Sequence, residues 1–264
     1  TRKYLLHIPA VLSCDSPVPL VLALHQFSDT PRGMQLMTGF DVIADREGFI
    51  VAYPKGQWRI WHSGANDNDD DLRFLHALID ELETRYCIDN TRIYATGASA
   101  GAMMVQRFAC HTNRLAAIAP VMGSLSVDFP AAAPAPAPLS VLVIHGIDDP
   151  VIPYGGGAAG GPHESNFLSA QETATFWALA NGCEPEPALA TDITNEHGQV
   201  LAHRYTYPCF DDNTVFLYAV VGCGHSWPGH QSRYPAFIVG PSVAEPNASE
   251  IIWDFFTTKR NLHL

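Results

Sequence analysis

Two spacings of apolar residues alternate along the chain. Leu20-Val-Leu-Ala-Leu24, Phe49-Ile-Val-Ala-Tyr53 and Leu139-Ser-Val-Leu-Val-Ile144 are short, almost unbroken apolar runs next to turn-forming residues, the pattern of strands covered on both faces. Elsewhere the spacing widens. Leu72, Leu75, Leu78, Ile79, Leu82 and Tyr86 recur at helical intervals, which predicts an amphipathic helix with Asp70 or Asp71 placed to cap its N-terminus. Helices are also expected around 38–47, after 101, at about 169–180 and near 248–258, and strands at 4–8, 91–96, 115–122, 202–207 and 214–221. Such alternation over the whole length predicts an α/β fold with a doubly wound, mostly parallel sheet. The Pro/Ala-rich stretch 129–138 is composed like a linker, but a strand follows it at once. It reads as a surface loop within one domain spanning 1–264.

Composition narrows the partners. With 264 residues, 47% of them hydrophobic, the chain can bury a large core, and no apolar run approaches the ~20 residues of a membrane span. A formal net charge of −12 argues against nucleic acid, which needs a Lys/Arg surplus on some face. The sequence starts at Thr1 without an initiator Met or a hydrophobic signal region, so a processed or trimmed form is expected. Compartment must then be argued from six cysteines, Cys14, Cys87, Cys110, Cys183, Cys209 and Cys223, no two of which have the close spacing of a zinc site. Cys183 in Asn-Gly-Cys and Cys209 in Tyr-Pro-Cys lie in turn-like sequence at the two ends of one excursion. A disulfide between them, and a secreted or periplasmic protein, is the expectation; six buried free thiols in a cytosolic protein is the alternative.

The strand-like run 91–96 enters Gly97-Ala-Ser99-Ala-Gly101, and the apolar stretch 102–110 follows. Strand, sharp turn and helix around Gly-x-Ser-x-Gly form the signature of a nucleophile elbow. A serine hydroxyl is a poor nucleophile until a base takes its proton, and the base needs an acid to hold its tautomer. On such a fold the order is Ser, then Asp or Glu, then His, on loops after successive strands. The chain supplies Asp148 and Asp149 after the strand ending at Ile144, and His225 in Gly222-Cys-Gly-His-Ser-Trp-Pro-Gly229 after the strand ending at Val221.

With these segments in view, the chain resembles the α/β-hydrolase esterases that include poly(3-hydroxybutyrate) depolymerase-like proteins and feruloyl esterases of the carbohydrate esterase 1 type. The resemblance covers nearly the whole chain and is carried by Leu24-His-Gln-Phe27, Tyr53-Pro-Lys-Gly56, Gly97–Gly101, His145-Gly-Ile-Asp-Asp-Pro-Val-Ile-Pro-Tyr154, Trp177–Cys183, Gly222–Gly229 and Ile251–Phe256. It implies an α/β-hydrolase fold, selects Asp149 over Asp148 as the acid, and puts the base on His225. A developing oxyanion needs two fixed N–H donors: Ala100, directly after the nucleophile, and Phe27, in the loop where the family commonly has His-Gly and this chain has His25-Gln26.

Four other features bear on the site. Gln26 is a candidate side-chain donor to substrate, and Trp61 and Trp227 are candidate walls for an acyl or aromatic group, with core packing the competing reading of both tryptophans. Asp67-Asn-Asp-Asp-Asp71 lacks the glycine and distal glutamate of a calcium loop and reads as a solvated turn. Cys223 is a conceivable thiol nucleophile, weaker than a serine on an elbow. The expectation is therefore a serine carboxylic-ester hydrolase with neither cofactor nor metal, and the resemblance implies feruloyl, aryl or acyl esters of plant polysaccharides, small or polymeric, as its substrates. Hydroxyalkanoate polyesters are the alternative substrate. Acyl transfer, peptidase action and a non-catalytic binding protein are the rival functions.

Overall fold

A computed structural model describes residues 2–10, 16–159, 166–188, 190–210 and 212–262; Cys14 lies outside them. In chain order the elements are β1 (Tyr4–His7), β2 (Val18–Leu24), α1 (Pro31–Thr38), α2 (Phe40–Glu47), β3 (Ile50–Pro54), α3 (Asp70–Arg85), β4 (Ile88–Ala98), α4 (Ala100–Cys110), β5 (Ala117–Val121) and α5 (Phe129–Ala132). Next come β6 (Ser140–Gly146), the short pair β7 (Gly157–Ala158) and β8 (Asn166–Phe167), α6 (Ala170–Ala180), β9 (Thr191–Thr194), β10 (Val200–Tyr207), β11 (Val215–Val220), α7 (Ala236–Val239) and α8 (Ala248–Thr257).

Among the described residues nine strands form one sheet, in the order β1-β3-β2-β4-β5-β6-β11-β10-β9. The six from β3 to β11 run parallel, and antiparallel pairing is confined to the two ends, β1 on β3 and β9 and β10 beyond β11. Alternate residues of β2 feed two cores. Leu20, Leu22 and Leu24 join Leu75 and Ile79 of α3, Met104 and Phe108 of α4 and Trp177 of α6. Val21 and Ala23 face the other way, with Met34 of α1, Phe40 of α2 and Phe256 of α8. Helices thus cover both faces, which is why the central strands are apolar throughout.

Three departures from the sequence pattern have identifiable physical causes. The helix expected at 38–47 is two helices, because Gly39 takes φ 60° and its N–H bonds back to Gln35 O; α1 begins earlier, with Thr30 Oγ1 accepting from Gly33 N and Pro31 in the first turn. Neither Asp70 nor Asp71 caps α3: the cap position is Asp69, which makes no capping bond. Asp71 is instead buried and takes Arg2 and the His62 N–H groups. The Pro/Ala stretch opens with the single turn α5, seated by the buried Phe129.

Cys183 and Cys209 are bonded, as expected, across 26 residues of chain. Cys87 is disulfide-bonded as well, while Cys110 and Cys223 are free and buried. No helix among the described residues is long and apolar enough to cross a membrane.

Candidate active site

Between the last residue of β4 and the first of α4 stands one residue, Ser99. Its backbone is at φ 53°, ψ −117°, a region that side-chain-bearing residues rarely enter and that stores strain. Two bonds hold it there: Ser99 N donates to Val121 O of β5 at 3.0 Å, and Ser99 O accepts from Met103 N at 3.0 Å. Both glycines of the pentapeptide are demanded by close backbone approach. A Cβ at Gly97 would lie 2.5 Å from the Gly101 carbonyl, and one at Gly101 would lie 2.3 Å from Leu24 O. The turn therefore brings the loop after β2 against the first turn of α4.

His225 reaches the elbow from the loop after β11. Its Nε2 is 2.9 Å from Ser99 Oγ and its Nδ1 is 2.7 Å from Asp149 Oδ2. The carboxylate accepts, so the proton sits on Nδ1 and the Nε2 lone pair faces the serine hydroxyl. The other oxygen of Asp149 accepts the N–H groups of Val151 and Ile152 at 2.8 and 2.9 Å. Burial alone would raise the pKa of Asp149. Hydrogen bonds from His145 and His225 outweigh burial and hold the carboxyl well below the usual carboxylate range. Asp148, one residue earlier, is exposed.

The remaining predicted residues divide. Ala100 opens α4, where the first N–H groups have no intrahelical acceptor and form the positive end of the helix dipole. Gln26 is buried and lines the cleft beside His225 together with Met122, Trp227 and Arg233. Phe27 follows it with its side chain 53% exposed. Trp227 lines that cleft from its inner wall and is otherwise buried: its Nε1 donates to Ser249 Oγ at 3.0 Å and its ring packs edge-to-face with Phe40. Trp61 is a correction. It is 4% exposed, its Nε1 donates to His25 O at 2.8 Å, and its ring lies 5.1 Å from the His25 ring, so it supports the loop after β2 from the core.

The thiol of Cys223 is fully buried against Gly224 O and Ser226, and burial raises its pKa, which removes it as a nucleophile. The acidic run is exposed from Asp67 to Asp70, as expected of a solvated turn, while Asp71 at its end is buried. Arg107, buried on α4, donates to the carbonyls of His62, Asp67 and Asn68 and to Asp69 Oδ1. Among the described residues no group of three or more His, Cys, Asp or Glu could hold a metal ion.

No protein-family model matches the chain. Individual relatives do. A protein of Nocardia uniformis subsp. tsuyamanensis named "Putative esterase NocK" is 29% identical over 277 residues, covering 97% of this chain and 79% of its own length. Feruloyl esterase B of Piromyces equi is 31% identical over 209 residues; the match covers 74% of this chain but 38% of that enzyme. Among solved structures, the acetyl xylan esterase from Aspergillus awamori superposes with a TM-score of 0.67 at 16% identity, over 97% of this chain and 93% of that one, which establishes the fold. The chain has the α/β-hydrolase fold, and the relatives it matches are named as esterases.

Two features of this esterase's site escaped sequence reasoning. His145 lies behind Asp149 with its side chain fully buried; its Nε2 donates to Ile152 O at 2.8 Å and leans toward Asp149 Oδ2 at 3.4 Å. The His-Gly pair was visible as a motif, but not that its ring would fold back onto the acid four residues on. Arg233 donates to Asp29 Oδ2 at 2.6 Å, and the same oxygen accepts Gln26 Nε2 at 3.3 Å. This pairing spans 204 residues and left no local signal. It fixes the Gln26 amide, because a carboxylate accepts only from the NH2 end.

Proposed function

We propose that this esterase hydrolyses its substrates through Ser99, His225 and Asp149 by an acyl-enzyme. The observation that carries the reading is the unbroken chain of short contacts from Ser99 Oγ through both ring nitrogens of His225 to Asp149 Oδ2. His225 Nε2 takes the proton as Ser99 Oγ attacks the ester carbonyl, and the N–H of Ala100, with that of Phe27 from the adjoining loop, receives the oxyanion. The imidazolium next protonates the departing alkoxide, leaving an acyl-serine and an alcohol. Water, deprotonated by the same Nε2, then releases the acid and restores Ser99.

The substrates we assign are feruloyl, aryl or acyl esters carried on plant polysaccharides. The names of the relatives support this class, and it comes ahead of hydroxyalkanoate polyesters for that reason. The disulfide between Cys183 and Cys209 supports a secreted or periplasmic site of action, since such bonds persist in oxidising compartments. Ser99→Ala tests the mechanism. It should fold normally yet lose on the order of 10⁴-fold or more in kcat on methyl ferulate or p-nitrophenyl acetate, and a fluorophosphonate should label the unaltered protein once, at Ser99. Near-normal turnover by the variant would sink the reading.

A further inference from the structure

The most solvent-exposed tryptophan of the chain is held in a built turn. Trp58, at φ 55° and ψ 21°, and Arg59, at φ 65°, are consecutive left-handed residues, a conformation that bulky side chains adopt only when their surroundings impose it. Arg59 N donates to Gly56 O and Ile60 N to Gln57 O, both at 3.0 Å, and Ser28 N donates to Arg59 O at 2.9 Å. Gly56 N donates to His25 Nε2 at 3.0 Å, and a Cβ at Gly56 would strike Ile60 O at 2.4 Å. All this fixed backbone presents an indole that is 85% exposed.

Beside it runs an open groove of about 450 Å³, lined by Arg2, Lys3, Lys55 and Trp58 with Asp70 at its edge, within the size range of small-ligand sites. Arg2 is committed to Asp71 and the Phe74 ring, and Asp70 to Arg73. Lys3 and Lys55 make no ion pair among the described residues, in a chain whose acidic groups outnumber Lys and Arg by 27 to 15. The groove sits at the C-terminal end of β3, two strands from β4 in the sheet, which puts it about 10 Å to the side of the strand that carries Ser99.

We propose that this groove binds a distal stretch of the polysaccharide, and that it selects chains bearing uronic acid groups. A pyranose ring presents a flat C–H face suited to the Trp58 indole. Lys3 and Lys55 supply charge-assisted hydrogen bonds to a carboxylate. A few linked sugar rings span the gap between such a contact and an ester seated at Ser99. The choice of polymer rests on the polysaccharide-ester reading above; the cationic, aromatic character of the groove does not.

Affinity electrophoresis of the Ser99→Ala protein separates the two. Gels carry xylan with uronic acid side groups, the same xylan after carboxyl reduction, or polyglutamate. Retardation is expected in the first gel, several-fold less in the second and none in the third. Adding Trp58→Ala, or Lys3→Gln with Lys55→Gln, should weaken binding to the acidic xylan at least five-fold, with Trp58→Phe retaining most of it. The lysine pair should also remove most of the salt dependence. Equal retardation of all variants, no retardation of the parent, or equal retardation by polyglutamate would each overturn the proposal, the last in favour of an acidic peptide. Hydrolysis of esterified xylan by the unaltered protein is measured in parallel. Binding without hydrolysis would defeat the substrate reading and leave the groove standing.

Discussion

Asp149 has both carboxylate oxygens engaged, one by two backbone N–H groups and one by His225, while its neighbour Asp148 is exposed. The hydrogen bonds that hold Asp149 below the usual carboxylate range keep it ionised throughout the acid range in which an ordinary carboxyl would protonate. Substitution removes at neutral pH a charge that mild acid does not. Asp149→Asn should therefore cost on the order of 10⁴-fold in kcat by releasing the His225 tautomer, with Asp148→Asn within a few-fold of the unaltered protein. Steady-state kinetics on a p-nitrophenyl ester distinguish them. Equal losses, or the reverse order, would transfer the acid role away from Asp149.

At the scale of elements, α4 does two jobs with opposite ends of its surface. Its first residue follows the elbow, and about two turns later Arg107 reaches out of the helix to hold the segment 62–69. The guanidinium is almost wholly buried and satisfies three carbonyls as well as Asp69. Arg107→Met keeps the apolar stem but strands those carbonyls, and should destabilise the fold by about 3 kcal/mol in urea denaturation. A loss under about 1 kcal/mol would mean that the loop holds itself without α4.

Across the whole molecule, the Cys183–Cys209 bond closes off the segment that contains β9 and β10, the antiparallel margin of the sheet. These strands are the least buried of the larger sheet's far end, so cross-linking the unfolded chain compensates for a thin core. Cys183→Ser with Cys209→Ser should cost about 3 kcal/mol on the chain-entropy argument, read as a lowered midpoint in chemical denaturation. An unchanged midpoint would assign the stability of that margin to packing alone. The free thiols add nothing to this; burial pushes Cys110 up to about 12, and the native protein should leave it unalkylated.

The apolar runs of β2, β3 and β6 and the pentapeptide around Ser99 were legible because each is a local necessity: a strand covered on both faces must be apolar along its length, and a tight elbow must have glycine where backbones touch. The order of Ser99, Asp149 and His225 along the chain carried the rest of the site. The burial of Trp61 and the engagement of Asp71 were not legible, since each depends on what a distant segment brings to the same place. A run of aspartates reads the same whether water alone or a buried arginine 38 to 40 residues away meets it. Arg107, Arg233 and Arg2 decide such questions through contacts that only the packed molecule creates, and that is why the chemistry was written in the sequence while the surroundings that tune it were settled by the fold.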